Sequence, residues 1–302
     1  MEGKMFLDGS VNFPGVGVQM EHLMEGIRIF GIEISFSGIL IALSLFLGLF
    51  ISERLAKKTE QNTEVYLDLA IRVILGGVIG ARLAYIITHW AYYKEMPEEM
   101  FSLRQGEMSF LGALIVGLII SFAYCRRRKI SWITVCDTAF FGILAGQIFG
   151  KVGDFFGRTA LGTYTDSKIA MQVEAQDVDA RMLKMGRAAG GELFVGDMVQ
   201  VHPIFLYEIV FFVVLGIIMW LLHRKKASTG VIFSLYLTLF GIERFLIEFI
   251  RLDSMKVLGG VLSLEQVFAL VVALFGMWSL SYILQLNRAE KRKKPKYFFK
   301  KK

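Results

Sequence analysis

Seven runs of mostly apolar residues, each about long enough to cross a bilayer as a helix, dominate this 302-residue chain. A hydrocarbon core of about 30 Å needs roughly 20 residues at the rise of an α-helix. The runs are 34–52, 67–90, 108–125, 133–150, 204–222, 230–250 and 262–284. Only four prolines interrupt the whole chain, which suits long unbroken helices. Glycine is plentiful at 30 residues, and membrane helices tolerate it better than soluble ones. The sequence therefore predicts an all-α polytopic membrane protein with seven transmembrane helices.

The connections predict its orientation. Arg54, Lys57 and Lys58 lie in one connection, Arg126 to Lys129 in another, and Arg224, Lys225 and Lys226 in a third. The tail 285–302 holds nine Lys or Arg. These are alternate connections, so a single side of the membrane collects them, and that side is cytoplasmic. The opposite connections are poor in Lys and Arg, except for 151–202, which is long enough to weigh less. The N-terminus is then expected outside and the C-terminus in the cytoplasm. A net charge of +7 that comes in such bursts reads as topology rather than as a nucleic-acid surface.

Four regions follow: an external segment 1–33, a membrane domain 34–284, an external head or arm 151–202 within it, and a basic cytoplasmic tail 285–302. Residues 1–26 lack the basic start and apolar core of a signal peptide, so insertion is expected to rest on the internal helices. Within the insert, Phe194-Val195 and Met198-Val199-Gln200-Val201 flank Gly196-Asp197, which predicts a small β-hairpin. A short helix is expected around 174–185. Cys125 and Cys136 fall near cytoplasmic helix ends and read as structural thiols.

Charges at membrane depth are costly and face protein, water or a polar ligand. Arg72, Arg82, Glu243, Arg244 and Glu248 lie inside the apolar runs. Arg72 sits near a helix end and is expected to snorkel. Arg82 follows Gly76, Gly77 and Gly80, which let another backbone or a lipid head come close. Arg244 and Glu248 share a helix face, and Arg251 extends the stripe. Either the stripe is an ion-pair ladder that locks packing, or Arg244 binds a phosphate through its planar fork while Glu248 holds it. Small residues with Lys151 and Arg158, from Gly146 to Gly162, offer backbone amides and cations for a phosphate. His202, followed by Tyr207 and Glu208, marks the outer entrance of the fifth run, where a histidine either moves protons or serves as an ordinary hydrogen-bonded interface residue. No His, Cys or carboxylate cluster has metal-ligand spacing, so neither metal nor soluble cofactor is expected.

Taken together, these stretches resemble the prolipoprotein diacylglyceryl transferase family. The resemblance runs through Gly80-Ala81-Arg82-Leu83-Ala84-Tyr85, Gly106-Glu107-Met108-Ser109-Phe110, Gly150-Lys151-Val152-Gly153-Asp154-Phe155, His202-Pro203 with Leu206-Tyr207-Glu208, Glu243-Arg244 to Arg251, and Gln266. Some positions depart from the family pattern. Leu111 stands where the family has histidine, Lys151 where it has arginine, Asp154 where it has asparagine, and Ser37 where it has tyrosine.

The resemblance implies a bacterial inner-membrane enzyme. Its members move the diacylglyceryl group of phosphatidylglycerol to the lipobox cysteine thiol of a preprolipoprotein, releasing glycerol phosphate. The expected partners are therefore phosphatidylglycerol or a related anionic phospholipid, a lipobox segment and the membrane, with no nucleic acid. Arg244, Lys151 and His202 are expected to be catalytic. Arg82, Tyr85, Asp154, Arg158, Gly162, Tyr207, Glu208 and Glu248 are expected to bind substrate or hold the site. Two other readings stay open: a non-catalytic lipid- or lipoprotein-binding protein of the same fold, and a lipid transporter or flippase.

Overall fold

The protein is described by a computed structural model covering residues 6–29, 32–101, 108–158, 160–175, 178, 194–195, 198–252, 256–257 and 262–293. Long helices fall on all seven apolar runs. They are α1 (Phe36–Lys58), α2 (Glu64–Thr88), α4 (Phe110–Arg128), α5 (Trp132–Gly157), α6 (Ile204–Arg224), α7 (Val231–Ile247) and α8 (Leu264–Lys293), with a short α3 (Trp90–Glu95) after α2. Five of them, α1, α2, α5, α6 and α8, are long and apolar enough to cross a membrane. The helix α4 ends in Arg126, Arg127 and Arg128, and α7 has only 17 residues before the chain turns.

The helices present large apolar side chains outward. Phe46, Ile87 and Trp278 are 72%, 71% and 64% exposed, which no water-soluble bundle of this size would leave uncovered. Lipid is the solvent that makes such a surface stable, and the chain is a helical membrane protein.

Two compact units can be distinguished, residues 49–139 and residues 1–48 with 140–302. In the first, α2 and α4 touch through glycine. A Cβ on Gly112 would stand 2.5 Å from the Gly80 carbonyl oxygen, and one on Gly80 would stand 2.8 Å from that of Gly112. This is the close backbone approach expected of Gly76, Gly77 and Gly80, and its partner is α4. Ser109 caps α4, its Oγ accepting from the Gly112 N–H at 3.3 Å, while its own N–H donates to the Ala81 carbonyl at 3.1 Å. Cys125 and Cys136 are free and buried here. Arg72 lies over the ring of Tyr124 at 5.5 Å.

The second unit joins membrane helices to a six-stranded antiparallel sheet. Its strands are β1 (Phe6–Phe13), β2 (Val18–Ile29), β3 (Ile32–Ser35), β4 (Met171–Glu174), β5 (Phe194–Val195) and β6 (Met198–Val201), in the order β3-β2-β1-β4-β6-β5. The hairpin expected around Gly196 is present: Phe194 pairs with Val199 and Val195 with Met198. Gly196 and Asp197 themselves lie outside the described residues. So does most of the expected helix at 174–185, whose first residue, Glu174, ends β4 instead.

The N-terminal segment is not a separate piece, since β1 pairs directly with β4 of the insert, Val11 opposite Val173 and Asn12 opposite Gln172. Amides reinforce the pairing across strands. Asn12 Nδ2 donates to Gln172 Oε1 at 2.9 Å, and Gln172 Nε2 donates to Gln200 Oε1 at 2.8 Å. Val11, Leu23, Val173, Val199 and Val201 bury one face of the sheet together with Leu161, Phe205 and Leu252 from the helix ends. A two-residue ribbon, β7 (Lys256–Val257) with β8 (Leu262–Ser263), precedes α8.

Below the sheet, α7 and α8 interlock as α2 and α4 do. A Cβ on Gly241 would meet the Ala269 carbonyl oxygen at 2.6 Å, and one on Gly276 would meet the Thr238 nitrogen at 2.5 Å. The helix α8 starts in a capping box, with Ser263 Oγ accepting from the Gln266 N–H at 3.0 Å and Gln266 Oε1 from the Ser263 N–H at 2.9 Å. Gln266, singled out by the family resemblance, thus fixes a helix start.

Replacing Gly80 by Val puts branched methyls against Val116 and the Gly112 backbone. Overpacking of this kind costs about 1–3 kcal/mol. A clear drop in the melting temperature of the detergent-solubilised protein is expected, with Val at Gly150 of α5, where an added Cβ meets nothing within 4 Å, as the comparison.

Candidate functional site: two cations on one buried carboxylate

Glu208 lies one turn into α6, and its side chain is wholly buried. Two cations reach it from two other helices. Arg244 of α7 donates from Nη1 to Oε1 at 2.7 Å, and Lys151 of α5 places Nζ 2.7 Å from Oε2. Lys151 also donates to Asp154 Oδ2 at 2.9 Å, one turn along its own helix. A desolvated carboxylate is unstable alone, and two opposite charges offset that cost. The cations keep an accessible edge, 27% for the Arg244 side chain and 16% for Lys151. Arg244 also rests against the Phe240 ring, 5.9 Å from its centroid.

The group foreseen as holding Arg244 was Glu248, on the same helix. The carboxylate that grips its Nη1 is Glu208, on the neighbouring helix. Glu248 is buried where α7 ends and donates its backbone N–H to the Arg244 carbonyl at 3.2 Å. Farther along the stripe, Arg251 Nη1 stands 3.9 Å from Glu265 Oε2.

The glycine-rich stretch around Lys151 behaves differently from expectation. It is not a phosphate-cradling loop, because α5 continues through Gly157 and its amides are spent inside the helix. Two of the glycines serve packing instead: a Cβ on Gly146 would meet the Ser44 carbonyl oxygen at 3.1 Å, and one on Gly153 that of Ser37 at 3.3 Å, whereas one on Gly150 would meet nothing within 4 Å. Arg158 follows with a left-handed φ of 49°. Its buried guanidinium donates to Glu25 Oε1 at 2.6 Å and to the Leu23 carbonyl at 3.3 Å, tying the end of α5 to β2.

Gly162 is where three segments cross. Its N–H donates to the His202 carbonyl at 3.0 Å, the His202 N–H donates to the Thr163 carbonyl at 3.0 Å, and the Thr163 N–H donates to the Ile250 carbonyl at 2.7 Å. A Cβ at Gly162 would lie 2.5 Å from the His202 Cβ and 2.9 Å from its carbonyl oxygen. The crossing locks the exit of α5, the entry of α6 and the exit of α7 together, and those helix ends carry Lys151, Glu208 and Arg244. His202 lies in the same crossing, its Nδ1 3.0 Å from Tyr207 Oη. Burial pushes its imidazole below the usual value, so it is neutral at pH 7.

Arg82 and Tyr85 belong to the other unit. Arg82 is buried, donates from Nε to the Met100 carbonyl at 3.0 Å and lies over the Tyr93 ring at 5.3 Å. Tyr85 stacks on His89 with centroids 4.1 Å apart.

Sequence reading passed over Gln147, whose Oε1 accepts from Tyr236 Oη at 2.6 Å. It also gave no role to Glu243, a buried carboxylate beside Arg244. A glutamine and a tyrosine in apolar runs carry no signal until the helices are assembled. Glu243 was visible as a charge at membrane depth, but its surroundings were not.

Fold and site together define a helical membrane protein that gathers two cations around a buried carboxylate at one end of its helices. The chain belongs to the prolipoprotein diacylglyceryl transferase family, whose model matches residues 25–282. It is similar to the phosphatidylglycerol–prolipoprotein diacylglyceryl transferase of Clostridioides difficile, at 30% identity over 260 residues, 86% of this chain and 95% of the relative. The enzymes of the same name from Finegoldia magna and Acaryochloris marina are 28% and 30% identical, covering 87% and 88% of this chain and 97% and 92% of theirs.

Removing Glu208 leaves two cations facing each other without their shared anion. Breaking a buried pair this way costs about 3–5 kcal/mol. Glu208→Ala is expected to lower the melting temperature far more than Asp154→Ala, whose side chain is 28% exposed. Gly162→Ala should also destabilise, despite adding one methyl group, and limited proteolysis between residues 164 and 201 should then accelerate.

Proposed function

We propose that this protein transfers the diacylglyceryl group of phosphatidylglycerol to the lipobox cysteine thiol of a preprolipoprotein, releasing glycerol phosphate. The observation that carries the proposal is the convergence of Lys151 and Arg244 on Glu208 in a member of this transferase family. As the thiolate attacks the glyceryl carbon, negative charge gathers on the departing phosphate. Cations already fixed in place stabilise that charge without reorganising, most strongly away from bulk water.

Arg244 is the main phosphate ligand in this proposal, because Glu208 engages only one arm of its planar fork. Lys151, held by two carboxylates, is the second cation. Asp154 orients Lys151, and Glu208 sets the distance between the two cations. Glu248 supports the end of α7, and Gly162, His202, Tyr207 and Arg158 fix the entrance through the crossing and the sheet. Arg82 and Tyr85 serve the lipid head or helix packing of their own unit.

The topology assigned here has seven spans, an outward N-terminus, a cytoplasmic C-terminus and a bacterial inner membrane. The external parts are 1–33 and 151–202, and the basic tail 285–302 is cytoplasmic. Within the unit that holds the site, the sheet and the Glu208 cluster lie at the helix ends opposite Arg224, Lys225 and Lys226, which the positive-inside rule places in the cytoplasm. An outward site meets preprolipoproteins on the side to which they are exported.

The test is formation of a lipid–cysteine thioether by purified protein given phosphatidylglycerol and a lipobox peptide. Arg244→Ala is expected to abolish product, whereas Lys151→Arg should retain it, since arginine keeps the charge and adds a fork of donors. Binding of the lipid without thioether would favour a lipid-binding protein of the same fold, and lipid movement across vesicles without product would favour a transporter.

A further inference from the structure

The cation cluster has a layer beneath it. One turn farther from the sheet, Lys151 is followed by Gln147 on α5, Glu208 by Phe212 on α6 and Arg244 by Phe240 on α7. The Phe240 ring stacks on Phe212, with centroids 6.4 Å apart, and on Tyr236, with centroids 5.5 Å apart. Tyr236 is buried and packs in an apolar cluster with Leu144, Phe212 and Leu215. Its hydroxyl finds a partner in Gln147, donating to Oε1 at 2.6 Å. That bond fixes which way the amide faces. The oxygen is taken, and the N–H donors of Nε2 are what Gln147 has to offer. Nε2 has no hydrogen-bond partner among the described residues, yet Gln147 is only half-buried and Nε2 is not sealed off.

An amide donor at membrane depth without an acceptor is costly, so this one calls for a polar partner. A glycerophospholipid supplies one. With its phosphate on Arg244 and Lys151, its ester carbonyls follow a few bonds away on the acyl side. That side faces the middle of the helices, where Gln147 lies one turn from Lys151 on the same face of α5. Resting on the transfer reading above, we propose that Gln147 is a substrate-binding residue that donates from Nε2 to an acyl ester carbonyl of the phospholipid. Tyr236 is its positioning residue, because the bond from Oη occupies Oε1 and leaves Nε2 for the lipid. An ether-linked lipid has no carbonyl at that place. The site therefore selects ester-linked phosphatidylglycerol over its dialkyl counterpart.

The experiment measures kcat/KM for thioether formation on a lipobox peptide with two phosphatidylglycerols of equal chain length, one diacyl and one dialkyl, in the same detergent micelles. Wild type is expected to favour the diacyl lipid about tenfold, the worth of one hydrogen bond. Gln147→Met keeps the length of the side chain and removes the donor. It should lower kcat/KM for the diacyl lipid about tenfold and leave the dialkyl lipid nearly unchanged, so that the preference disappears. The double variant Gln147→Met with Tyr236→Phe leaves no buried hydroxyl without a partner and guards against a single variant that fails to fold. It should lose the preference in the same way. A merely structural amide would instead slow both lipids by the same factor. That result, or a wild type that uses both lipids equally, would overturn the role of Gln147 and leave the transfer intact. A wild-type protein that forms no thioether from either lipid would overturn the transfer and this inference with it.

Discussion

Everything at this site depends on the carboxylate of Glu208 being completely withdrawn from water. An isolated ion there would be costly by several kcal/mol or more, and the fold offsets that cost by bringing a cation from each of two other helices. The same arrangement solves a second problem, since Arg244 and Lys151 would otherwise repel one another. Glu208 therefore acts as a spacer that lets two positive groups stand close together and still keep an accessible edge. Stability and the placement of both cations come from one interaction.

The supports of that spacer are backbone devices more than side-chain ones. Gly241 and Gly276 let α7 and α8 approach until their backbones touch, and Gly146 and Gly153 do the same for α5 against α1. Association of helices in lipid has little hydrophobic driving force, so close backbone packing takes its place. At the membrane edge the sheet takes over, with Arg158 bridging α5 to β2 through Glu25. The capping box of Ser263 and Gln266 sets where α8 begins.

Much of this architecture was legible in the sequence because lipid imposes a simple rule, and every long helix lies on an apolar run. The hairpin at Phe194–Val195 and Met198–Val201 was legible for a similar reason, since its partners are neighbours in the chain. The rest of the sheet was not. Alternation exists in Ser10-Val11-Asn12-Phe13, but the strand that completes it starts at Met171, and nothing local announces such a pairing. Charges told a comparable story. Arg244 and Lys151 could be singled out by their cost in a membrane, whereas the choice of Glu208 over Glu248 as partner depends on how α6 packs against α7. The phosphate cradle considered around Gly150 is not formed because α5 runs unbroken through Gly157, while Gly146 and Gly153 lie against α1.

The knot of hydrogen bonds at Gly162 separates two parts of the molecule that the chain order would otherwise link. Residues 164–201 leave that point and come back to it, with Thr163 and His202 bonded directly across the base. Whatever happens along that excursion, its two ends are pinned, so changes in its length or composition need not move Lys151 or Glu208. The charged centre can therefore stay in register whatever sequence the excursion carries.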